Sequence, residues 1–185
     1  MPLEIEPPSG FLVERLDTSC HQRDGFCCGN EALDTYLTEQ ANQSQSRDCA
    51  ITYVLIEDPG DNRVNPCQVV GYITLISQSI PLAECPAWVA KKITNKPLLP
   101  AILVARMAVD NKFKGRKLGE ALLVKVALRV AKEQADSIGG CAIVFLDAKD
   151  DVAKSFYLRY GFMELPKNPF QLFMPMSEIR KLFSN

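Results

Sequence analysis

The 185-residue sequence contains a single histidine, His21. That scarcity leaves little room for a Ser/His/Asp or Cys/His nucleophilic machine, whose base would have to be this one imidazole. Paired Cys-x-x-Cys spacing is also missing. Cys20, His21, Cys27 and Cys28 lie close in sequence but lack the ligand spacing of a structural zinc site, so no metal is expected. The seven cysteines, an odd number, are spread along the chain without the pattern of a secreted disulfide scaffold, and reduced thiols are the expected state. No run approaches the roughly 18 uninterrupted apolar residues of a membrane helix, and the first ten residues lack a basic region followed by an apolar one. These absences predict a cytoplasmic protein without membrane contact.

Net charge is nearly absent as well, at −1, but the average hides an asymmetry. Residues 1–62 carry twelve acidic and three basic side chains, giving −9, while residues 63–185 carry eighteen basic and ten acidic, giving +8. Between Pro86 and Lys117 stand eight basic residues (Lys91, Lys92, Lys96, Arg106, Lys112, Lys114, Arg116 and Lys117) against Asp110 alone. Such a segment would steer a polyanionic ligand, although a solvated basic face balanced by an acidic one has the same composition.

What is present is enough for one sizeable core, with 47% hydrophobic residues, and the length predicts a single domain over residues 1–185. The proline-rich first twenty residues read as an extended segment. Asn30 is placed to cap a helix over Glu31–Gln43, in which Ala32, Leu33, Tyr36, Leu37 and Ala41 recur at helical spacing. Ala50–Glu57 and Val69–Ile76 read as the strands of an antiparallel hairpin around the turn at Asp58-Pro-Gly. Pro81–Pro100, with four prolines and the only tryptophan, Trp88, reads as a surface loop or short helix and a candidate substrate-facing segment. Ala101–Val109 reads as a strand, and residues 118–136 as a long helix with Leu122, Leu123, Val126, Ala127, Val130 and Ala131 along one stripe. After Gly139-Gly140, Ala142–Leu146 reads as a strand covered on both faces, Asp151–Tyr160 as a helix ended by Gly161, and Gln171–Met174 as a last strand before a tail. This order predicts an α/β fold with helices packed on a mixed sheet, and no internal repeat interrupts it.

The most informative stretch is Arg106–Leu123. A strand runs into a basic, glycine-containing turn that opens a helix, and such a turn offers unpaired backbone N–H groups to a phosphate. A helix start that binds nothing is the competing reading; it leaves several cations crowded beside N–H donors without compensation.

Four pieces in order resemble the GCN5-related N-acetyltransferase (GNAT) family: Met107-Ala-Val-Asp, Lys114-Gly-Arg-Lys-Leu-Gly followed by Glu120, Asp147-Ala, and Ser155-Phe-Tyr-Leu-Arg-Tyr-Gly-Phe. The resemblance implies a GNAT fold, a mixed central sheet with helices on both faces and strands splayed at an acetyl-CoA site. It implies that main-chain groups of Met107, Ala108 and Val109 hydrogen-bond the pantetheine arm. It also implies that Lys114, Gly115, Arg116, Lys117, Leu118, Gly119 and Glu120 form the pyrophosphate turn, with Phe156 beside the cofactor. Lys114 stands where the family has Gln or Arg, and Lys117 where it has glycine. A lysine fits there without cost at negative φ and is strained by about 1 kcal/mol or more at positive φ.

Tyr157 is the expected catalytic residue by the same resemblance. A phenol, with a reference pKa of about 10, can protonate a departing thiolate, whereas a tyrosine that packs against core or cofactor is the plainer reading. Tyr160, on a neighbouring helical face, reads as packing. No general base stands out: Asp110, Asp147, Asp150 and Asp151 lie at strand ends or helix starts, where Asp150 or Asp151 reads as a cap.

Within the family the closest resemblance is to the TacT-like acetyltransferase toxins of toxin–antitoxin modules, through Phe26-Cys-Cys-Gly-Asn-Glu-Ala-Leu-Asp-Thr-Tyr-Leu, Val70-Gly-Tyr-Ile-Thr-Leu, Leu99–Asp110 and Leu172-Phe-Met-Pro-Met. This implies acetylation of the α-amine of aminoacyl-tRNA and a block of translation. Lys91, Lys92, Lys96 and Arg106 would then meet substrate phosphates, a ribbon-helix-helix antitoxin would be the partner, and a homodimer is compatible. The low pKa of an aminoacyl ester amine suits an enzyme without a base. A pI near 5.9 speaks instead for a small-metabolite amine or a protein N-terminus. A non-catalytic acetyl-CoA- or partner-binding module is the third reading, motivated by Lys117.

Overall fold

The computed structural model describes residues 8–64, 66–93 and 96–184. The extended reading of residues 1–20 therefore falls partly outside the described residues. The fold comprises two compact units, one formed by the chain up to Ile76 together with Ala105–Arg129, the other by Ser77–Val104 and the chain from Val130 onward.

In the first unit, β1 (Phe11–Arg15) pairs antiparallel with β3 (Ile51–Glu57) from Phe11↔Glu57 to Arg15↔Tyr53. β3 in turn pairs antiparallel with the early part of β4 (Cys67–Pro81), with a register shift at Leu55/Ile56. The two-residue β2 (His21–Gln22) runs parallel to Cys67 and Gln68. Helix α1 spans residues 31–46, with a π-type turn over Tyr36–Gln40, and Asn30 caps it as expected, its side chain accepting from the N–H groups of Ala32 and Leu33.

Strand alternation places the two helices of this unit on opposite faces. Tyr72 and its cross-strand partner Val54 pack with Tyr36, Leu37 and Ala41 of α1, and the Tyr72 hydroxyl donates to the Leu33 carbonyl at 2.8 Å. The neighbouring pair, Gly71 and Leu55, points the other way, and a Cβ on Gly71 would lie 3.4 Å from Leu122 of helix α3, residues 118–137. The expected arrangement of helices on both faces thus holds here. The predicted stripe of α3 is buried except for half-buried Val130, and Ala121 and Leu128 are buried with it because a π-type stretch over Ala121–Leu128 widens the arc.

In the second unit, the early part of β5 (Leu98–Val109) pairs parallel with β6 (Ile143–Asp147) through Ala101–Leu103 only. β6 pairs antiparallel with β8 (Asn168–Pro175), and β8 with β7 (Met163–Leu165). Ile143 through Leu146 are all buried, as expected of a strand covered on both faces. Ile80, Val89, Leu99, Phe145 and Phe173 belong to the core of this unit.

The proline-rich segment contains a short helix, one of its two expected forms, α2 (Ala87–Ile93), which anchors through buried Val89. Three local expectations change. β5 begins at Leu98, ahead of the expected Ala101. β4 continues five residues past Ile76 despite its polar Ser-Gln-Ser, with Ile80 as its buried anchor. The C-terminal tail is a helix, α5 (Met176–Leu182), which buries Met176 and Ile179. Among the described residues no helix is long and apolar enough to cross a membrane.

Candidate active site

The Arg106–Leu123 stretch folds as strand, 3₁₀ turn (Asn111–Phe113), glycine turn and helix. Gly115 has φ of +83° and Lys117 has φ of +58° and ψ of +20°, so lysine occupies the left-handed region here. Of the two alternatives posed by the sequence, the structure takes the strained one, at a cost of about 1–2 kcal/mol for an L-residue. Lys117 is the residue before the first turn of α3, with its carbonyl accepting from Ala121 N–H at 3.1 Å. The N–H groups of Leu118 and Gly119, in that first turn, have no acceptor within the helix by its geometry. A left-handed residue just before a helix start turns successive N–H groups toward one side, which is the concavity an anion needs.

In the strand leading into this turn, the β5–β6 ladder pairs Ala101 to Leu103, so the main-chain groups of Met107, Ala108 and Val109 take no part in it. On the β4 side, the Ala108 carbonyl lies 3.3 Å from where a Gly71 Cβ would stand, so only glycine permits that approach comfortably.

Asp110 follows the strand end and is 4% exposed. Its two carboxylate oxygens accept from different chain segments, Oδ1 from Lys112 N–H and Oδ2 from Cys27 N–H, both at 2.9 Å. Asn111 N–H donates back to the Cys27 carbonyl at 2.8 Å, and Lys114 Nζ donates to the Cys28 carbonyl at 3.1 Å. Phe113 packs edge-on to Phe11, and Arg116 lies over the Phe113 ring and 3.9 Å from Glu57. Sequence reading left Asp110 without a role, because its partner is 83 residues away; the match of Phe26-Cys-Cys-Gly to the toxins was the only available signal.

Arg106, on the exposed side of β5, stacks over Tyr36 of α1 at 5.2 Å, and its guanidinium donates to the Ala105 carbonyl. His21 is buried and structural. Its Nδ1 accepts from Asp17 N–H, which leaves the proton on Nε2 to donate to Glu14, itself also held by Arg63. Hydrogen bonds from Arg63 and His21 hold the Glu14 carboxyl below its ordinary range.

In the second unit, Tyr157 sits on α4 (Asp151–Arg159), whose start is capped by Asp150 Oδ1 accepting from Ala153 N–H at 2.7 Å. That is the capping role expected of Asp150. Tyr157 packs edge-on against Phe156 and Phe162, at 5.1 and 5.9 Å. Among the described residues its hydroxyl has no hydrogen-bond partner, and burial pushes its pKa up to about 12. It is therefore a protonated donor with its O–H unspent at neutral pH. Tyr160 packs on Phe156, as expected of a packing residue, and Asp147 and Asp151 are exposed.

Lys91, Lys92 and Lys96 are exposed, and Lys92 lies over the ring of half-exposed Trp88, which itself packs on Phe173. Lys91 and Lys92 share α2, while Lys96 precedes β5.

Known proteins resemble this chain along most of its length. Residues 50–164 match the profile of the Acetyltransferase (GNAT) domain. A probable toxin TacT from Sinorhizobium fredii is 30% identical over 92% of this chain and 94% of its own. A tRNA-acetylating toxin from Mycobacterium tuberculosis is 31% identical over 96% of this chain and 99% of its own. A tyrosine-to-phenylalanine mutant of the toxin AtaT, solved bound to the C-terminus of the antitoxin AtaR and to acetyl-CoA, superposes with a TM-score of 0.78 at 25% identity, over 95% of this chain and 99% of the other. With the profile covering more than half of the chain, and two relatives 30% and 31% identical along nearly its whole length, the protein belongs to the GNAT family of acetyltransferases.

Proposed function

We propose that this protein is an acetyl-CoA-dependent N-acetyltransferase that modifies the α-amine of aminoacyl-tRNA and so blocks translation, acting in the cytoplasm as one domain over residues 1–185. The observation that carries the reading is the basic turn from Lys114 to Glu120, with left-handed Gly115 and Lys117 at the head of α3. Its support comes from relatives described as a tRNA-acetylating toxin and a probable toxin, and from a structural counterpart bound to acetyl-CoA.

Acetyl-CoA supplies an activated acetyl group on a thioester. The residues of this chain have the tasks of holding it and of managing one proton. By the family resemblance, N–H groups of the turn would hold the pyrophosphate, assisted by Lys114, Arg116 and Lys117, main-chain groups of Met107, Ala108 and Val109 would take the pantetheine arm, and Phe156 is assigned to the cofactor. The amine nitrogen forms the new bond to the acetyl carbon as the C–S bond breaks, and the Tyr157 hydroxyl gives its proton to sulfur. The lowered pKa of an aminoacyl ester amine leaves a reactive neutral fraction near pH 7, so its surplus proton can leave to water without a dedicated base, and water returns a proton to Tyr157. Lys91, Lys92, Lys96 and Arg106 are assigned to substrate phosphates.

The antitoxin complex of the AtaT counterpart supports an antitoxin partner for this chain, proposed to be of ribbon-helix-helix type. The test is a cell-free translation system given purified protein and acetyl-CoA. The expected result is arrest together with N-acetylated charged tRNA. Normal translation at saturating acetyl-CoA refutes the tRNA reading. Acetylation of a small amine or a protein N-terminus in the same assay would transfer the enzyme to the reading favoured by the acidic pI.

A further inference from the structure

We propose that Asp110 is a positioning residue for the cofactor turn, locking it to the Phe26–Gly29 segment so that the N–H groups of residues 115–119 are already aimed before acetyl-CoA arrives. The inference rests on the assignment of that turn to the pyrophosphate.

Three observations place Asp110 in this role. It is a carboxylate at 4% exposure whose two oxygens accept from two separate segments of the chain, one the turn at Lys112 and the other Cys27. The same two segments are joined twice more, by Asn111 N–H to the Cys27 carbonyl and by Lys114 Nζ to the Cys28 carbonyl. At its base, Asp110 N–H donates to the Val70 carbonyl at 2.9 Å, fixing the strand end from which the turn departs. Facing the turn, Gly29 has φ of +87°, and the Asn111 side chain lies 3.5 Å from where its Cβ would be, so the Phe26–Gly29 segment passes close to the turn.

The need for such a lock follows from Gly115 and Lys117. Glycine at 115 adds backbone freedom, and lysine in the left-handed region favours other conformations, so the turn by itself does not hold its shape. A buried carboxylate that accepts two N–H bonds also resists replacement by its amide. One end of an asparagine would present a donor to a donor and leave a buried N–H without an acceptor. Asp110 touches no reacting atom, and its effect passes through the geometry of Lys112 to Gly119 and thus through cofactor affinity.

The experiment measures acetyl-CoA binding by calorimetry, together with amide hydrogen exchange, for the unaltered protein and for Asp110→Asn. The expected result is a Kd raised about tenfold or more and faster exchange confined to residues 26–29 and 111–119, with kcat at saturating acetyl-CoA changed far less than KM. Val54→Ala, a core truncation in the same unit, controls for lost stability: it should lower Tm and leave Kd unchanged. A folded Asp110→Asn protein with Kd within twofold of the unaltered one overturns the inference. Should that variant not fold, Gly29→Ala decides, because it strains the partner segment at a positive φ and meets the turn only in ordinary contact with the Asn111 side chain. A Kd raised severalfold supports the lock, and an unchanged one refutes it. Failure of the unaltered protein to bind acetyl-CoA would instead remove the cofactor assignment itself, and this inference with it.

Discussion

Lys117→Gly should make this protein more stable while loosening its hold on the cofactor. At φ of +58° the lysine Cβ crowds the following carbonyl, at a cost of about 1–2 kcal/mol that glycine does not incur. Glycine gives back about 0.5–1 kcal/mol through the larger freedom of its unfolded chain. The net gain is about 0.5–1 kcal/mol, or about 1–4 °C in Tm for a chain of this length. A second contribution has the same sign: a cation at a helix N-terminus is unfavourable by about 0.3–1 kcal/mol when nothing anionic is bound. The effects separate by comparison with Lys117→Ala, which removes the charge and keeps the Cβ. Glycine should exceed alanine in stability by the backbone difference alone, read in urea titrations of both variants. Acetyl-CoA affinity should fall by up to about fivefold in both, since each loses one cation beside the pyrophosphate. If alanine proves as stable as glycine, Lys117 is not held in the left-handed region and the account of the turn is wrong.

Three further outcomes are expected. Tyr157→Phe should lower kcat about 100-fold or more with acetyl-CoA affinity unchanged, because the ring packing on Phe156 and Phe162 is kept and only the donor is lost; parallel losses in both would make it a packing residue. With the Tyr157 pKa at about 12, above the ordinary value of 10, the phenol keeps its proton throughout the working range, so kcat should show no alkaline fall below about pH 10, and one centred near pH 8–9 in wild type would exclude this tyrosine as the acid. Gly71→Val should destabilise by about 1–3 kcal/mol, since its Cβ alone would lie 3.3 Å from the Ala108 carbonyl and 3.4 Å from Leu122, and wild-type stability in denaturant titration would show that β4 and β5 can yield.

The sequence was most informative where a local rule decides the structure. Asn30 could be read as a cap because capping needs only a side-chain oxygen before a periodic apolar run, and Ala142–Leu146 because a short unbroken apolar run between a glycine pair upstream and Asp147 leaves few alternatives. The C-terminal helix was missed because only Met176 and Ile179 mark its buried side, too few for a period to show. β1 is a short strand whose pairing is decided by a distant partner, β3, while β7 pairs with the adjacent β8 but is only three residues long, too short for an alternation to show. In the site, the basic turn and Tyr157 were legible as residue types in order. The φ of Lys117 was not, because a lysine carries no sign of the backbone region into which its neighbours force it. Nor was Asp110, since a carboxylate after a strand looks the same whether it faces water or clamps a segment 83 residues away.

The path of the chain through its two units has a consequence during synthesis. The first unit takes strands from before Ile76 and then waits for Ala105–Arg129, while the second begins at Ser77 and is completed only by β8 and α5. No single cut therefore releases either unit whole. On the ribosome the first unit is not complete until Arg129 has emerged, and β6, which ends at Asp147, waits for β8 to end at Pro175, a few seconds later at elongation rates of about 5–20 residues per second. A polypeptide proposed to halt translation thus gains its second unit only after β8 has been made, and a premature stop before Asn168 leaves β6 without that partner.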